Sequence, residues 1–572
     1  MQVTLSHAAR ALALACLLAG VVTAAGAQTP PPPGQAPGIA AAARTLAPHT
    51  PVQSAGPVKK LTVDEAVALG LENNPNLRVD RINPLLQDAN IDQARSAWSP
   101  NLTGLLNFQS ADNPPDSLLS GSTDILKVDR LSGSAGVTQL LPWGTSYQVT
   151  WDSSRQTTNS FYSNFDPRLG SGLSLAFSQP LLRDFSVDSA RTQLIVSKRN
   201  REISDVDLRG SIVSTVRNVT AAYWDLAYTI GNLRAQQQSL DLARQTLKDN
   251  RTRVDVGTMA PIDIVEAEAE VARNEETVIV AESAIKQAED VLRALIFDPQ
   301  QPDFWQVTIE PVFDMSAFTP EPVDAEAAVK TALEKRTDLR SARMQLENTN
   351  LNMKYYRNQT LPQVNLEGNL FGAGVGGDEL IREPGFPPGP VIGTATKHFG
   401  EVVGDSFAFN YPTWAIGVNV AYPLGTSAAE ASLTRAKLQY QQGLLQIASL
   451  ETQIATQVRV ASRQVNTNIK RIDATRAARV LSDRRLEAEQ KKFGVGMSTS
   501  FLVFQAQRDL TTARNNELQA LLDYAKSRAD YEALQETSLS GAGITIGGGG
   551  GVLATATGSQ LGAAATQAQQ QR

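Results

Sequence analysis

Two hydrophobic periods alternate along the chain. Ile212, Val216, Val219, Tyr223, Leu226, Ile230 and Leu233 recur in steps of four and three, an a/d seam kept over three heptads. Between Asp188 and Val256 glycine and proline are nearly absent, Gly210 and Gly231 being the exceptions. As one helix that stretch reaches roughly 100 Å. No single-domain core covers such a helix, so it must pack in a rod or tube. A second helix is expected from about Pro261 to Ile296, with proline in its favoured first turn. The same pair recurs at about 427–493 and 499–536.

Elsewhere the period falls to two. In 363–370 Val364, Leu366 and Leu370 share one face, with Gln363, Asn365, Glu367 and Asn369 on the other. In 414–422 Trp414, Ile416, Val418, Val420 and Tyr422 alternate with Ala415, Gly417, Asn419 and Ala421. Segments of about ten residues, apolar on one side and small or polar on the other, fit outer-membrane strands. Trp414 and Tyr422 stand where membrane interfaces favour aromatics. A soluble sandwich face fits a single strand equally well. Similar strands are expected at about 101–110, 131–141, 145–153 and 171–179.

These elements occur twice. Residues 61–78 align with 323–340 at an offset of 262, with Ala66/Ala328, Leu71/Leu333 and Arg78/Arg340 identical. Without a gap the offset also pairs Asn90/Asn352 and Pro100/Pro362. Residues 253–268 align with 492–507 at 239, so the first copy carries 23 extra residues. A strand pair around Pro142-Trp143-Gly144, about 131–153, is expected to account for them, either within a barrel or rising above it. Each copy opens with a helix; the first has a Thr62/Glu65 capping box and is expected to run to about Trp98. The order is then strands, long helix, Val-Gly turn, long helix. The copies are bounded as 59–322 and 323–536, with the connector 297–322 expected to hold a short strand.

The ends read differently. Residues 1–27 resemble a secretory signal, with Arg10, an apolar run and Ala25-Gly26-Ala27 before Gln28. Cys16 is the one cysteine. It is either a lipidation site or a small residue of the apolar run, and the apolar residues continuing past it favour the latter. Residues 28–58 form a Pro/Ala-rich linker, and 537–572, rich in glycine and glutamine, are expected to be disordered.

Composition removes several functions. Lys+Arg is 52 against Asp+Glu 58, for a net charge of −6, which argues against nucleic acid as a partner. With three histidines and one cysteine, neither a metal site nor another cofactor is expected. Residues 372–377 match G-x-G-x-x-G, but the sequence DELIREPGFPPGP follows instead of a helix. A flexible extracellular loop, also holding His398, is the expectation, and no enzyme is indicated.

Taken together, the chain resembles the TolC family of outer-membrane factors. The likeness covers about residues 60–536. Its carriers are the duplicated opening helices, SPNL (99–102) and LPQV (361–364) before strands, SQPLL (178–182) and AYPLG (421–425) after them, and Val-Gly turns at 256–257 and 495–496. The resemblance implies a mixed α and β fold, with a long α-helical coiled-coil tube and a transmembrane β-barrel shared between three chains. It implies a homotrimer in outer-membrane lipid that works with a periplasmic adaptor (membrane fusion) protein and an inner-membrane transporter. The function would be a passive channel-tunnel for drug or metal efflux or type I secretion. Independently, open sheet edges are not tolerated in lipid, which itself demands an oligomer.

In the family the turns dock the adaptor, which here points to Val256, Gly257, Thr258, Val495, Gly496 and Met497. Relatives carry two aspartates just past the second turn; those positions are Leu502 and Gln505 here, and a usual basic residue is Ser498. A pore constriction is therefore expected from Ser498, Leu502 and Gln505, with Asp263 and Glu266 supplying charge. Favourable charge at a helix N-terminus explains the two acids equally well. The other class to weigh is a trimeric coiled-coil adhesin or structural spacer, which would not explain a duplication whose helices return to a second strand set.

Overall fold

The computed structural model describes residues 57–114, 125–312, 320–385, 388–425 and 427–538, with two short strands at 544–545 and 555–556. The expected signal, Cys16, His49, nearly all of the linker and most of the tail lie outside them. The chain divides into Met1–Ser54 and Ala55–Arg572, and the described residues belong to the second unit.

The first copy comprises β1 (Val58–Leu61), α1 (Val63–Asn73), α2 (Pro75–Asp80), α3 (Ile82–Arg95), β2 (Asn101–Asn113), β3 (Leu126–Leu140), β4 (Ser146–Thr158), β5 (Phe165–Pro180), α4 (Ser189–Asp255) and α5 (Ile262–Ile296). After β6 (Thr308–Pro311), the second comprises α6 (Ala325–Lys335), α7 (Thr337–Gln359), β7 (Gln363–Arg382), β8 (Val391–Lys397), α8 (Phe399–Phe407), β9 (Pro412–Ala421), α9 (Ala428–Gly494) and α10 (Ser500–Leu534).

Helix starts follow from capping chemistry. Thr62 and Glu65 exchange both bonds of the expected box, at 2.9 and 3.4 Å. The Asp188 carboxylate accepts from the Arg191 amide at 2.6 Å, and the Ser427 hydroxyl from the Glu430 amide at 3.1 Å. The opening helix is not continuous to Trp98 as expected. Asn74 is extended (ψ 120°) ahead of Pro75, as a residue before proline prefers. Its carboxamide oxygen then caps the amides of Asn76 and Leu77. The second copy breaks at the equivalent Arg336 without any proline.

The apolar seam of α4 is the core of the first copy. Ile212, Val216, Val219, Tyr223 and Leu226 are buried with Leu71 and Leu77 of the opening helices and Leu292 and Ile296 of α5. Each such side chain contributes about 1.5–3 kcal/mol by leaving water. The expected connector strand is β6, which pairs in parallel with β1. The linker therefore ends before Val58. The Tyr223 hydroxyl lies 3.1 Å from the Leu61 carbonyl and 2.9 Å from that of Val312, tying both strand ends to α4. Burial pushes its pKa up to about 12. In the tail, where disorder was expected, Ile544–Thr545 pairs antiparallel with Thr555–Ala556.

One antiparallel sheet runs in the order β2-β3-β4-β5-β7, with β8 and β9 both paired to β7. The expected hairpin near 131–153 is real and extends over 126–158 as β3 and β4, lying between β2 and β5. It does not alone account for the 23 residues, because the second copy has its own additional piece, β8 and α8.

The residues expected to form a glycine-rich loop are strand instead. Gly372, Gly374 and Gly376 of β7 share one face, and α8 rests on them. A Cβ on Gly374 would lie 2.0 Å from the Val402 carbonyl oxygen, and one on Gly372 would lie 2.3 Å from that of Ser406. Glycine permits this close approach of backbone to backbone. His398, expected in a loop, is the cap residue of α8.

The register puts residues from six strands on one face. They include Leu102, Leu106 and Phe108; Ala135 and Val137; Tyr147, Val149 and Trp151; Leu173, Leu175 and Phe177; Val364, Leu366 and Leu370; and Trp414, Ile416, Val418 and Val420. No charged residue interrupts this band; Asp112, Asp129 and Arg155 stand beyond it. The opposite face carries Asn101, Thr103, Asn107, Ser134, Gln148, Asp152, Ser174, Glu367, Asn369 and Asn419. Apolar-out, polar-in alternation of this kind is what lipid imposes on a barrel wall. Among the described residues no helix is long and apolar enough to cross a membrane.

Candidate functional site

The long helices end in two turns of the same construction. In the first, the Gly257 amide donates to the Val254 carbonyl at 2.9 Å and the Thr258 amide to that of Arg253 at 2.8 Å. In the second, Gly496 donates to Phe493 at 3.2 Å and Met497 to Lys492 at 2.8 Å. Both are Schellman ends, which need a left-handed residue at the glycine position. Gly257 has φ 76° and Gly496 φ 79°. Nothing lies within 4 Å of where a Cβ would stand on either. Val256, Val495 and Met497 are 69%, 73% and 79% exposed. Thr258 adds a side-chain bond to the Arg253 carbonyl at 2.9 Å.

The tips are tied to each other. The Arg253 guanidinium lies 4.5 Å over the Phe493 ring and donates to the Phe493 carbonyl at 3.4 Å. The Ser500 hydroxyl donates to the Asp263 carboxylate at 3.1 Å. Further from the tips, buried Glu270 of α5 accepts from Arg508 of α10 at 2.9 Å and from Arg273 at 3.0 Å. Sequence reasoning missed Arg253, Phe493, Ser500, Glu270 and Arg508. Their partners lie about 240 positions away in the chain, and neither copy repeats the pairs of the other.

The expected constriction residues divide. Leu502 and Gln505 lie in the first turns of α10, Leu502 39% exposed and Gln505 half-buried. Ser498 does not share their helical face, because α10 begins at Ser500. Its hydroxyl donates to Glu489 of α9 at 2.8 Å. Lys492 first and Ser498 second hold the Glu489 carboxyl below its usual range. Asp263 points to Ser500 of the other hairpin, and Glu266 is exposed. At the offset of 239, Asp263 is the counterpart of Leu502 and Glu266 that of Gln505. One copy is thus acidic where the other is neutral. Among the described residues no three His, Cys, Asp or Glu side chains gather as metal ligands.

The chain matches the profile of the outer membrane efflux protein family over residues 67–296 and 328–534, one block per copy. It is 24% identical to the outer membrane protein TolC of Vibrio cholerae over 451 residues, covering 78% of this chain and 93% of that protein. Solved structures agree in fold. The CmeC outer membrane channel of Campylobacter jejuni has a TM-score of 0.60 at 16% identity, over 83% of this chain and 85% of its own. VceC of Vibrio cholerae gives 0.56 at 15% identity, over 83% and 96%. The open-state MtrE channel of Neisseria gonorrhoeae gives 0.55 at 19%, over 83% and 88%. Duplicated helical hairpins, an apolar-out sheet and a family match spanning both copies lead to one conclusion: the chain belongs to the outer membrane efflux protein family and is a TolC-like outer-membrane channel protein.

Proposed function

We propose that three copies form a passive channel-tunnel, with the sheet in the outer membrane and the helices in the periplasm, serving a periplasmic adaptor and an inner-membrane transporter. The observation that carries this is the union of a charge-free apolar band on six strands with two 67-residue helices, α4 and α9, that end in exposed turns. Sheet edges in lipid require neighbours. The tips, Val256-Gly257-Thr258 and Val495-Gly496-Met497, dock the adaptor through their exposed apolar residues and open glycine backbone. Cargo is small molecules or polypeptide, and energy comes from the partners.

The constriction lies just inside the tips. Three copies of Leu502 and Gln505 form a weakly selective ring that closes by dewetting, and Asp263 and Glu266 contribute cation preference. Native mass spectrometry in detergent tests the assembly and should give a trimer. Replacing both Gly257 and Gly496 by Trp should abolish export while leaving trimers in the membrane. In planar bilayers Leu502→Ala should raise conductance, and Asp263→Asn should lower cation preference. A monomer, or wild-type export by the double Trp variant, refutes the corresponding assignment. A trimer that never conducts favours the spacer reading.

A further inference from the structure

The exposure of the apolar face is uneven across the sheet. On the two outermost long strands it is high: Leu102 and Leu106 of β2 are each 77% exposed, and Trp414 and Ile416 of β9 are 72% and 69%. On the interior strand β5, Leu173 is 9% exposed beside Gly372, where α8 rests on this face, while Phe177 is 42% exposed. Every residue of β9 and nearly every residue of β2 is exposed, and each has one backbone edge without a ladder partner among the described residues. β2 runs away from its helical end at Asn101, whereas β9 runs back toward its own at Ala421. The two free edges thus run in opposite directions, the sense that an antiparallel pairing needs.

What lies between these edges decides the size of the wall. The β3-β4 hairpin separates β2 from β5 along their length, with Asn101 opposite Thr138 and Ser146 opposite Ser178. Its apolar face continues the band without a break through Ala135, Val137, Tyr147, Val149 and Trp151. Its other face is as polar as the rest, with Ser132, Ser134, Gln148 and Asp152. Its near turn reaches the start of α4: a Cβ on Gly144 would lie 3.2 Å from the Arg191 guanidinium. A hairpin standing above the membrane would have no reason to keep a charge-free band in register with its neighbours.

From this we infer that each chain contributes six lipid-facing strands, β2, β3, β4, β5, β7 and β9, and that three copies close edge to edge, β2 on β9, into one barrel of eighteen strands. This rests on the trimeric reading above and sets its exit. With strands about 4.8 Å apart and tilted by roughly 40°, eighteen strands give a backbone radius of roughly 18 Å. Twelve, the number if the hairpin left the wall, would give roughly 12 Å by the same geometry. The barrel is then a wide mouth that does not limit cargo size, which falls to the helical end.

Spin labels and disulfides on the full chain test this. Nitroxides at Val137→Cys and Val149→Cys, in trimers reconstituted into phosphatidylcholine vesicles, should be several-fold more accessible to oxygen than to a nickel chelate. Labels at Ser134→Cys and Thr150→Cys, on the opposite face, should show the reverse. Gly417→Cys combined in turn with Thr103→Cys, Leu105→Cys and Asn107→Cys should yield, for at least one pair, covalent dimers and trimers on oxidation; Cys16 is the chain's only native thiol. Intact trimers with both hairpin faces equally open to nickel would overturn the eighteen-strand wall and leave the channel standing. Absence of every β2–β9 cross-link would overturn it as well. A monomer with a closed sheet would overturn both readings.

Discussion

The two copies agree in their helices and differ in their sheets. α4 and α9 are each 67 residues long, and α5 and α10 are each 35. In the strand region the first copy has four long strands, and the second has β7, the divided β8–β9 course and a helix between. The helices run side by side from the sheet to tips that touch through Arg253 and Phe493, so a length change in one would separate the tips. Strands answer only to the local wall, where a hairpin can be inserted and its apolar face aligned. Duplication is preserved where both copies must reach the same point and lost where each solves its own packing.

The harshest test of that contrast removes one heptad from each arm of the first hairpin alone. Its tip should withdraw by roughly 10 Å. The Arg253–Phe493 contact should be lost and export with it, as read by substrate efflux and by a tip-to-tip disulfide. Shortening both hairpins alike should restore the disulfide.

Within the sheet, Gly374→Val should dislodge α8. The new side chain collides with the Val402 backbone, a clash of the kind that costs about 1–3 kcal/mol or more. The expected readouts are lower thermal stability of the protein and new proteolysis within 398–411. Gly104→Val, on the same apolar face of the first copy but with nothing nearer than 3.9 Å, should be close to neutral.

Tyr223→Phe should loosen β1 and β6 by removing the hydroxyl near two carbonyls, at a cost of about 1–2 kcal/mol. Faster amide exchange in both strands would reveal it. The counterpart in the second copy is Ser462, whose hydroxyl donates only to the Val458 carbonyl of its own helix. Ser462→Ala should have the smaller effect.

The smallest difference is acidic. Glu489 has its carboxyl held below the usual range by Lys492 and Ser498, so its contribution is full above its unfolded value, about 4.3. That contribution fades as pH falls through the lowered folded value. The counterpart in the first copy is Asn250, which does not titrate. Amide exchange between pH 6 and pH 3 should therefore rise at 494–499 before it rises at 255–260. Equal onset at both tips would show that the Ser498–Glu489–Lys492 group does not hold the second.

Much of this was legible in residue order. The a/d seam of α4, the Val-Gly turns and the 239 and 262 offsets are local or periodic signals, and they located both hairpins to within a few residues. Alternation likewise located the strands, because lipid on one side and water on the other force a period of two. The opening helix was overextended: the Asn74-Pro75 break was visible, but the equivalent break at Arg336 has no proline to announce it.

What the chain determined alone was which face of each element must leave water, since that depends only on neighbouring side chains and the helix or strand period. Tertiary structure decided which faces meet. Gly372, Gly374 and Gly376 looked like a loop until α8 was seen resting on their strand. Ser498 looked like part of a pore-facing helix until its hydroxyl was found on Glu489. Glu270 and Arg508 carry no sequence signal of their own, because a pair 238 positions apart is set by how two hairpins pack, and that packing is a property of the whole fold.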